Sequence, residues 1–140
     1  MKRKVILDAG PLVALINARD KYHEWAEVQW EQIQPPLLTC EAVVSEACFL
    51  LRQWDEGAGF VFELLKRKAV EISFRLLDNM APVTALLKKY GNVPMSMADA
   101  CLVRMAEVND SSSIMTLDAH FRIYRKHKTR TIPLLIPPNM

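Results

Sequence analysis

Glycine, histidine and cysteine are all scarce in this chain, and each scarcity removes a class of chemistry. The four glycines among 140 residues (Gly10, Gly57, Gly59 and Gly91) are too dispersed to form a glycine-rich phosphate loop. The three histidines, His23, His120 and His127, lie apart without ligand spacing, so histidine-based metal chemistry fits poorly. Cys40, Cys48 and Cys101 are odd in number, sit inside apolar runs and show no CxxC spacing. They predict free, mostly buried thiols in a reducing compartment, not a disulfide framework or a structural zinc site. Serine- or cysteine-based catalysis lacks both a glycine elbow and an evident base. No apolar run approaches the roughly 20 residues of a membrane helix. Lys2, Arg3 and Lys4 imitate the basic start of a signal peptide, but Asp8 interrupts the following apolar stretch, and Asp20 and Lys21 close it. The expectation is a soluble, cytoplasmic protein with no membrane association.

What is present is an ordinary globular balance. Hydrophobic residues make up 51% and charged residues 24%, enough to bury a sizeable core without staples. At this length one domain, residues 1–140, is the default. The net charge of +2 excludes little, but its distribution says more. Between Ala119 and Ile132 stand Arg122, Arg125, Lys126, Lys128 and Arg130 with no acid among them, whereas Thr39 to Glu63 is acidic apart from Arg52. A concentrated basic strip can touch a polyanion or simply be a solvated loop.

Along the chain, short apolar runs alternate with helical patterns. Strands are predicted at Lys4–Leu7, Leu37–Thr39, Val70–Phe74, Ser113–Leu117 and Thr131–Ile136. Helices are predicted at Leu12–Ala18, Tyr22–Ile33, Cys40–Trp54, Phe60–Lys68, Pro82–Tyr90 and Met97–Val108, with Pro35-Pro36 and Gly91 as stops. No two-residue hairpin signal or internal repeat is evident. Such alternation implies an α/β fold: βα units around a mostly parallel sheet, whose sites lie beyond the carboxyl ends of the strands.

That rule singles out Asp8 and Asp118, each the first polar residue after a strand. Either acid also suits a local role, Asp8 as a helix cap and Asp118 as a turn initiator. Glu46 has Val43, Phe49 and Leu50 as its three- and four-residue neighbours, which places it on an apolar helix face where an unpaired carboxylate is costly. Asp99 closes Ser96-Met97-Ala98-Asp99, a capping-box pattern, yet Leu102, Val103 and Ala106 put it at the border of the core. Arg52 and Arg104 are wrongly spaced to neutralise Glu46 or Asp99. Carboxylates gathered without cations repel, and oxygen-only ligation suits hard divalent ions such as Mg²⁺ or Mn²⁺.

These residues carry a family resemblance. The opening VILDAGPLVALINARDKYHEW, the central LTCEAVVSEACFLL and the later VPMSMADACLVRMAEVNDSSSIMTLDAHFRIYR resemble the PIN domain, and more narrowly the VapC-like ribonuclease toxins of prokaryotic toxin–antitoxin modules. The resemblance covers almost the whole chain, and ADA opening a helix followed by TLD after a strand is its strongest signal. It implies a three-layer α/β/α domain with a mostly parallel central sheet, and RNA cleavage dependent on Mg²⁺ or Mn²⁺. On it, Asp8, Glu46, Asp99 and Asp118 are the metal-binding, catalytic acids. Asp8, Asp99 and Asp118 would hold one ion, with Glu46 completing the pocket directly or through a water. It also implies a homodimer and a small antitoxin wrapping the groove near the acids; the apolar segments Tyr22–Ile33 and Phe60–Lys68 suit such surfaces or, equally, the core. Some relatives carry another acid just after the TLD aspartate; this chain has Ala119 and His120, so a second ion is not implied.

Around these acids, Arg122, Arg125 and Lys126 are expected to contact RNA, and His120 to be an ordinary surface histidine. Phe121 and Tyr124 are expected in the core in preference to stacking on bases, Thr116 at the site edge or in the sheet, and Asp20 and His23 in a helix start and its packing. Two other classes remain in view. A non-catalytic RNA-binding or scaffold domain is weakened by four intact acids. A phosphotransfer receiver wants an acid pair after its first strand, where Asp8 stands alone, and Pro133 interrupts the last strand.

Overall fold

The computed structural model describes residues 3–140; Met1 and Lys2, and so part of the basic opening weighed above, lie outside the described residues. Strand β1 (Lys4–Leu7) is buried over Val5, Ile6 and Leu7, the signature of a central strand covered on both faces. Helix α1 (Ala9–Ile16) begins directly after Asp8, three residues earlier than the pattern suggested. Asp8 is its N-cap, and Pro11 sits in the first turn, where a missing N–H costs nothing. Then follow α2 (His23–Gln32), β2 (Leu37–Thr39), α3 (Glu41–Leu50), α4 (Gly57–Lys66) and β3 (Val70–Ile72). A 3-10 turn at Leu76–Asn79 leads into α5 (Met80–Lys89), and α6 (Met97–Val108) precedes β4 (Ser112–Met115).

Five strands form one sheet in the order β3-β2-β1-β4-β7, where β7 is Leu134–Leu135. Every pairing in it is parallel, with Ile6 opposite Leu38 on one side and Ile114 on the other. Helices pack around this sheet, as expected for an α/β domain of this kind. The core gathers Ile6, Leu12, Leu51, Leu102, Met105 and Ile114, all essentially inaccessible to solvent. Cys40 and Cys101 are buried within it and Cys48 is half-buried, all three as free thiols. Among the described residues no helix is long and apolar enough to cross a membrane.

The structure corrects several boundaries. Helix α3 ends at Leu50, not Trp54, and turns occupy residues 51–56 before α4 starts at Gly57. Gly57 is required there by close approach: a Cβ would lie 2.7 Å from the Leu51 carbonyl oxygen. Helix α5 ends at Lys89, one residue short of the predicted Tyr90 and just ahead of Gly91, with the Tyr90 N–H still bonded to the Leu86 carbonyl and no left-handed angle at the glycine. The expected strand at Thr131–Ile136 is two pieces. Its first part, β6 (Arg130–Thr131), pairs antiparallel with β5 (Arg125–Lys126) in a separate hairpin that sequence reading did not foresee. His127 and Lys128 take left-handed backbone angles at its tip (φ 49° and 72°) without the glycine or asparagine that usually marks such a turn. Tertiary contacts hold it instead. Glu107 Oε2 accepts the His127 N–H at 2.8 Å, and Lys89 Nζ donates to the Lys128 carbonyl at 3.0 Å.

Candidate active site

Asp8, Asp99 and Asp118 all stand where chain direction changes: after β1, in the first turn of α6, and beyond the end of β4. Asp8 is buried, and both its oxygens are engaged. Oδ1 accepts the Ala9 N–H at 2.7 Å and Oδ2 accepts the Thr116 hydroxyl at 2.7 Å. Burial outweighs these two bonds and, with the charges of Asp99 and Glu46, pushes its carboxyl up to about 6 from an ordinary 3.8.

Asp99 completes the capping box foreseen from the sequence. Ser96 Oγ accepts the Asp99 N–H at 3.0 Å, while Asp99 Oδ2 takes the Ser96 N–H at 3.3 Å and the Tyr124 hydroxyl at 3.1 Å. Asp118 Oδ1 accepts the His120 N–H at 2.9 Å and lies 3.2 Å from His120 Nδ1. Thus His120 is half-exposed, as a surface histidine would be, but it also leans on a candidate ligand.

Glu46 corrects the reading of its helix. The buried stripe of α3 is Val43, Val44 and Ala47; Glu46 is exposed, and so are its supposed core neighbours Phe49 and Leu50. Its link to the other acids is electrostatic. Partial desolvation, then the negative charges of Asp99 and Asp118, raise its carboxyl above the usual glutamate range. The four acids therefore share one field, contributed by β1, α3, α6 and the β4 exit.

Thr116 and Tyr124 do more at this site than sequence reasoning gave them. Thr116 is fully buried, and its Oγ1 accepts the Asp118 N–H at 3.0 Å while donating to Asp8, so one hydroxyl spans two of the acids. The signal was its place two residues before Asp118. Tyr124 is fully buried, which removes it from base stacking, as it does Phe121. Burial and the charge of Asp99 raise its phenol above the ordinary range, so it remains a donor. Asp20 and His23 behave as a helix start and its packing: Asp20 Oδ1 accepts the Tyr22 N–H at 2.9 Å, and His23 Nδ1 lies 2.7 Å from the Ala14 carbonyl oxygen.

The basic strip divides in two. Arg125 Nη1 donates to the carbonyls of Arg122, Ile123 and Tyr124, so that nitrogen binds its own turn. Arg122 is exposed with one bond to the Met140 carbonyl oxygen, and Lys126 is half-buried.

The donor set fits a hard divalent cation in chemistry. Among the described residues, His120 is the only basic side chain within ion-pair distance of any of the four acids. Asp99 Oδ1, Asp118 Oδ2 and both Glu46 oxygens have no hydrogen-bond donor among the described residues. The acids are not drawn into a tight cage, however: among the described residues no three His, Cys, Asp or Glu side chains form a ready-made metal cluster.

Comparison with known proteins identifies the family and the fold. The family model of the PIN domain matches residues 5–126. The toxin VapC20 of Mycobacterium tuberculosis, described as cleaving the sarcin–ricin loop, has a similar solved structure: TM-score 0.79 at 20% identity, covering 91% of this chain and 99% of that one. At that identity the likeness shows the fold. No curated protein sequence matches the chain.

Proposed function

Because the chain belongs to the PIN domain family, we propose that it is a divalent-metal-dependent ribonuclease that hydrolyses RNA phosphodiester bonds, the toxin of a VapBC-like toxin–antitoxin pair. The observation that carries this reading is the shared field of four carboxylates from four separate parts of the chain, with oxygens of Asp99, Asp118 and Glu46 free of donors and no lysine or arginine paired to any of the four among the described residues. A purely structural role would leave such acids paired or dispersed.

In this reading Asp8, Asp99 and Asp118 hold Mg²⁺ or Mn²⁺, and Glu46 completes the pocket directly or through a water. Such an ion supplies an acidified water and charge stabilisation at the phosphate. The chain's own residues do the rest. Thr116 fixes the spacing of Asp8 and Asp118, and His120 holds one Asp118 oxygen, leaving the other for the ion. Arg122 and Lys126 offset the acids at the rim by meeting RNA phosphates, with Arg125 shaping the turn that presents them. A small antitoxin covers the exposed aromatic face of α3 and α4, where Trp54 and Phe60 line a cavity of about 380 Å³ with Ile16 and Leu51. Phe60 and Phe62 are exposed on α4 and Val28 on α2, apolar contact points within the segments Phe60–Lys68 and Tyr22–Ile33. A homodimer and a cytoplasmic setting complete the proposal.

The test is Asp99→Asn. As the third-position partner of Ser96 in the capping box, Asp99 accepts the Ser96 N–H through a side-chain oxygen that asparagine also carries, so a capping-box role alone predicts near-neutrality. The metal reading predicts equal or greater stability in EDTA, a smaller Mn²⁺-induced rise in melting temperature, and collapse of cleavage on an RNA panel that includes a structured ribosomal loop. Retained cleavage with an undiminished Mn²⁺ effect would falsify the assignment.

A further inference from the structure

Behind Asp99 lies an aromatic cluster whose packing exceeds what a hydrophobic filler needs. Tyr124 stands edge-on to Tyr90, with ring centroids 5.1 Å apart at 65°, and edge-on to Phe121, at 5.2 Å and 86°. Tyr124 and Phe121 are fully buried and Tyr90 nearly so. Rings held on two sides in this way have little freedom to swing. A phenylalanine would fill the same space. A buried phenol instead demands a partner for its hydroxyl, and the partner here is Asp99 Oδ2 at 3.1 Å.

That oxygen also takes the Ser96 N–H, so two donors from two parts of the chain hold Oδ2 while Oδ1 has none among the described residues. We infer that Tyr124 is a positioning residue for Asp99: it commits Oδ2 to the protein and directs Oδ1 toward the cation. This rests on the metal-site reading above and deepens it. Tyr90 supplies the internal contrast. Its hydroxyl accepts the Arg125 N–H at 3.0 Å and belongs to the same cluster, but it touches none of the four acids.

The experiment measures Mn²⁺ affinity by calorimetry without RNA. Tyr124→Phe, checked for folding by near-UV circular dichroism and an EDTA melt, should weaken Mn²⁺ binding about tenfold, as loss of an outer-sphere partner of a metal ligand does. Tyr90→Phe should bind Mn²⁺ like the wild type. In an Asp99→Asn background, Tyr124→Phe should add no further loss, because its route to the ion is gone. Wild-type affinity in folded Tyr124→Phe, or the same loss in both backgrounds, overturns the positioning role. Should Asp99→Asn itself leave Mn²⁺ binding intact, the metal-site reading falls and takes this role with it; weakened Asp99→Asn beside unaffected Tyr124→Phe removes the positioning role alone. A measurement on the unaltered chain guards against a variant that does not fold. With ¹³C at the tyrosine Cζ, the Tyr124 resonance should move on addition of Mg²⁺ and that of Tyr90 should not; a stationary Tyr124 resonance overturns the role.

Discussion

Asp8 is asked to be three things at once: a helix cap, a partner for Thr116 and a charge among charges. Its environment answers by favouring the proton. With the carboxyl at about 6 in the folded chain and near 3.8 when unfolded, both states are protonated below 3.8 and the group contributes nothing. Between 3.8 and 6 the unfolded chain releases a proton that the folded chain keeps, so stability falls as pH rises, and above 6 the loss is complete. A shift of about two units corresponds to roughly 3 kcal/mol at most. Metal-free protein should therefore gain stability from this group on going from pH 7 to pH 4, and Asp8→Asn should flatten the gain. Urea unfolding of both proteins in EDTA across that range measures it; equal pH slopes would show that burial is not what governs Asp8. Thr116 offers a matching outcome. Thr116→Val keeps the shape but strands a buried carboxylate oxygen and the Asp118 N–H, a loss of about 1–3 kcal/mol readable in the same titration.

At the scale of elements, the chain announces its starts better than its stops. Asp8 before α1 and Ser96 with Asp99 before α6 are local signals, because a cap is satisfied within a few residues of itself. Where α3 ends is decided elsewhere: Leu51 turns inward to full burial and Gly57 must pass against its carbonyl, contacts that no periodicity expresses. Glu46 was misread for a related reason. Phe49 and Leu50 look like core partners in a helical wheel, but they lie on the exposed side of α3, and only the packing of Val43 and Ala47 shows which side is covered. The hairpin was invisible because its left-handed tip is held by Glu107 and Lys89 from distant helices. Caps themselves are testable. Ser96→Ala should cost about 1 kcal/mol of stability by removing the acceptor for the Asp99 N–H. It should also loosen Asp99, so the Mn²⁺-induced gain in melting temperature should shrink with it. A stability loss with a full Mn²⁺ response would mean that cap and site are independent.

For the whole molecule, the sheet order was readable as a class but the meeting of the acids was not: Asp8 and Asp118 lie more than a hundred residues apart and share one threonine only because β1 and β4 are neighbours. The basic strip shows the reverse case, a run conspicuous in sequence whose members the fold puts to different uses. If RNA follows the rim, replacing Arg122 and Lys126 together by alanine should lower the salt dependence of single-stranded RNA binding by about 1.4 log units per log unit of salt. Arg125→Ala should instead act chiefly on stability, since its guanidinium closes the turn at 122–124. An unchanged slope in the double variant, measured by fluorescence anisotropy at several salt concentrations, would leave the strip as solvated surface.

Asp8 is the N-cap of α1 and Asp99 the capping-box partner of Ser96 at the start of α6, and in both places the side-chain oxygen of asparagine can accept the same N–H. Silencing this site by one nucleotide change of the Asp-to-Asn kind therefore removes self-repulsion while sparing the architecture. In a cell harmed by the activity, escape and folding quality would point the same way: inactive descendants would be at least as robust as their parent, would accumulate to higher levels, and would keep the surfaces that bind other molecules. Retention of all four acids in such a lineage would then demand continual selection for the chemistry itself, because nothing in the architecture defends it.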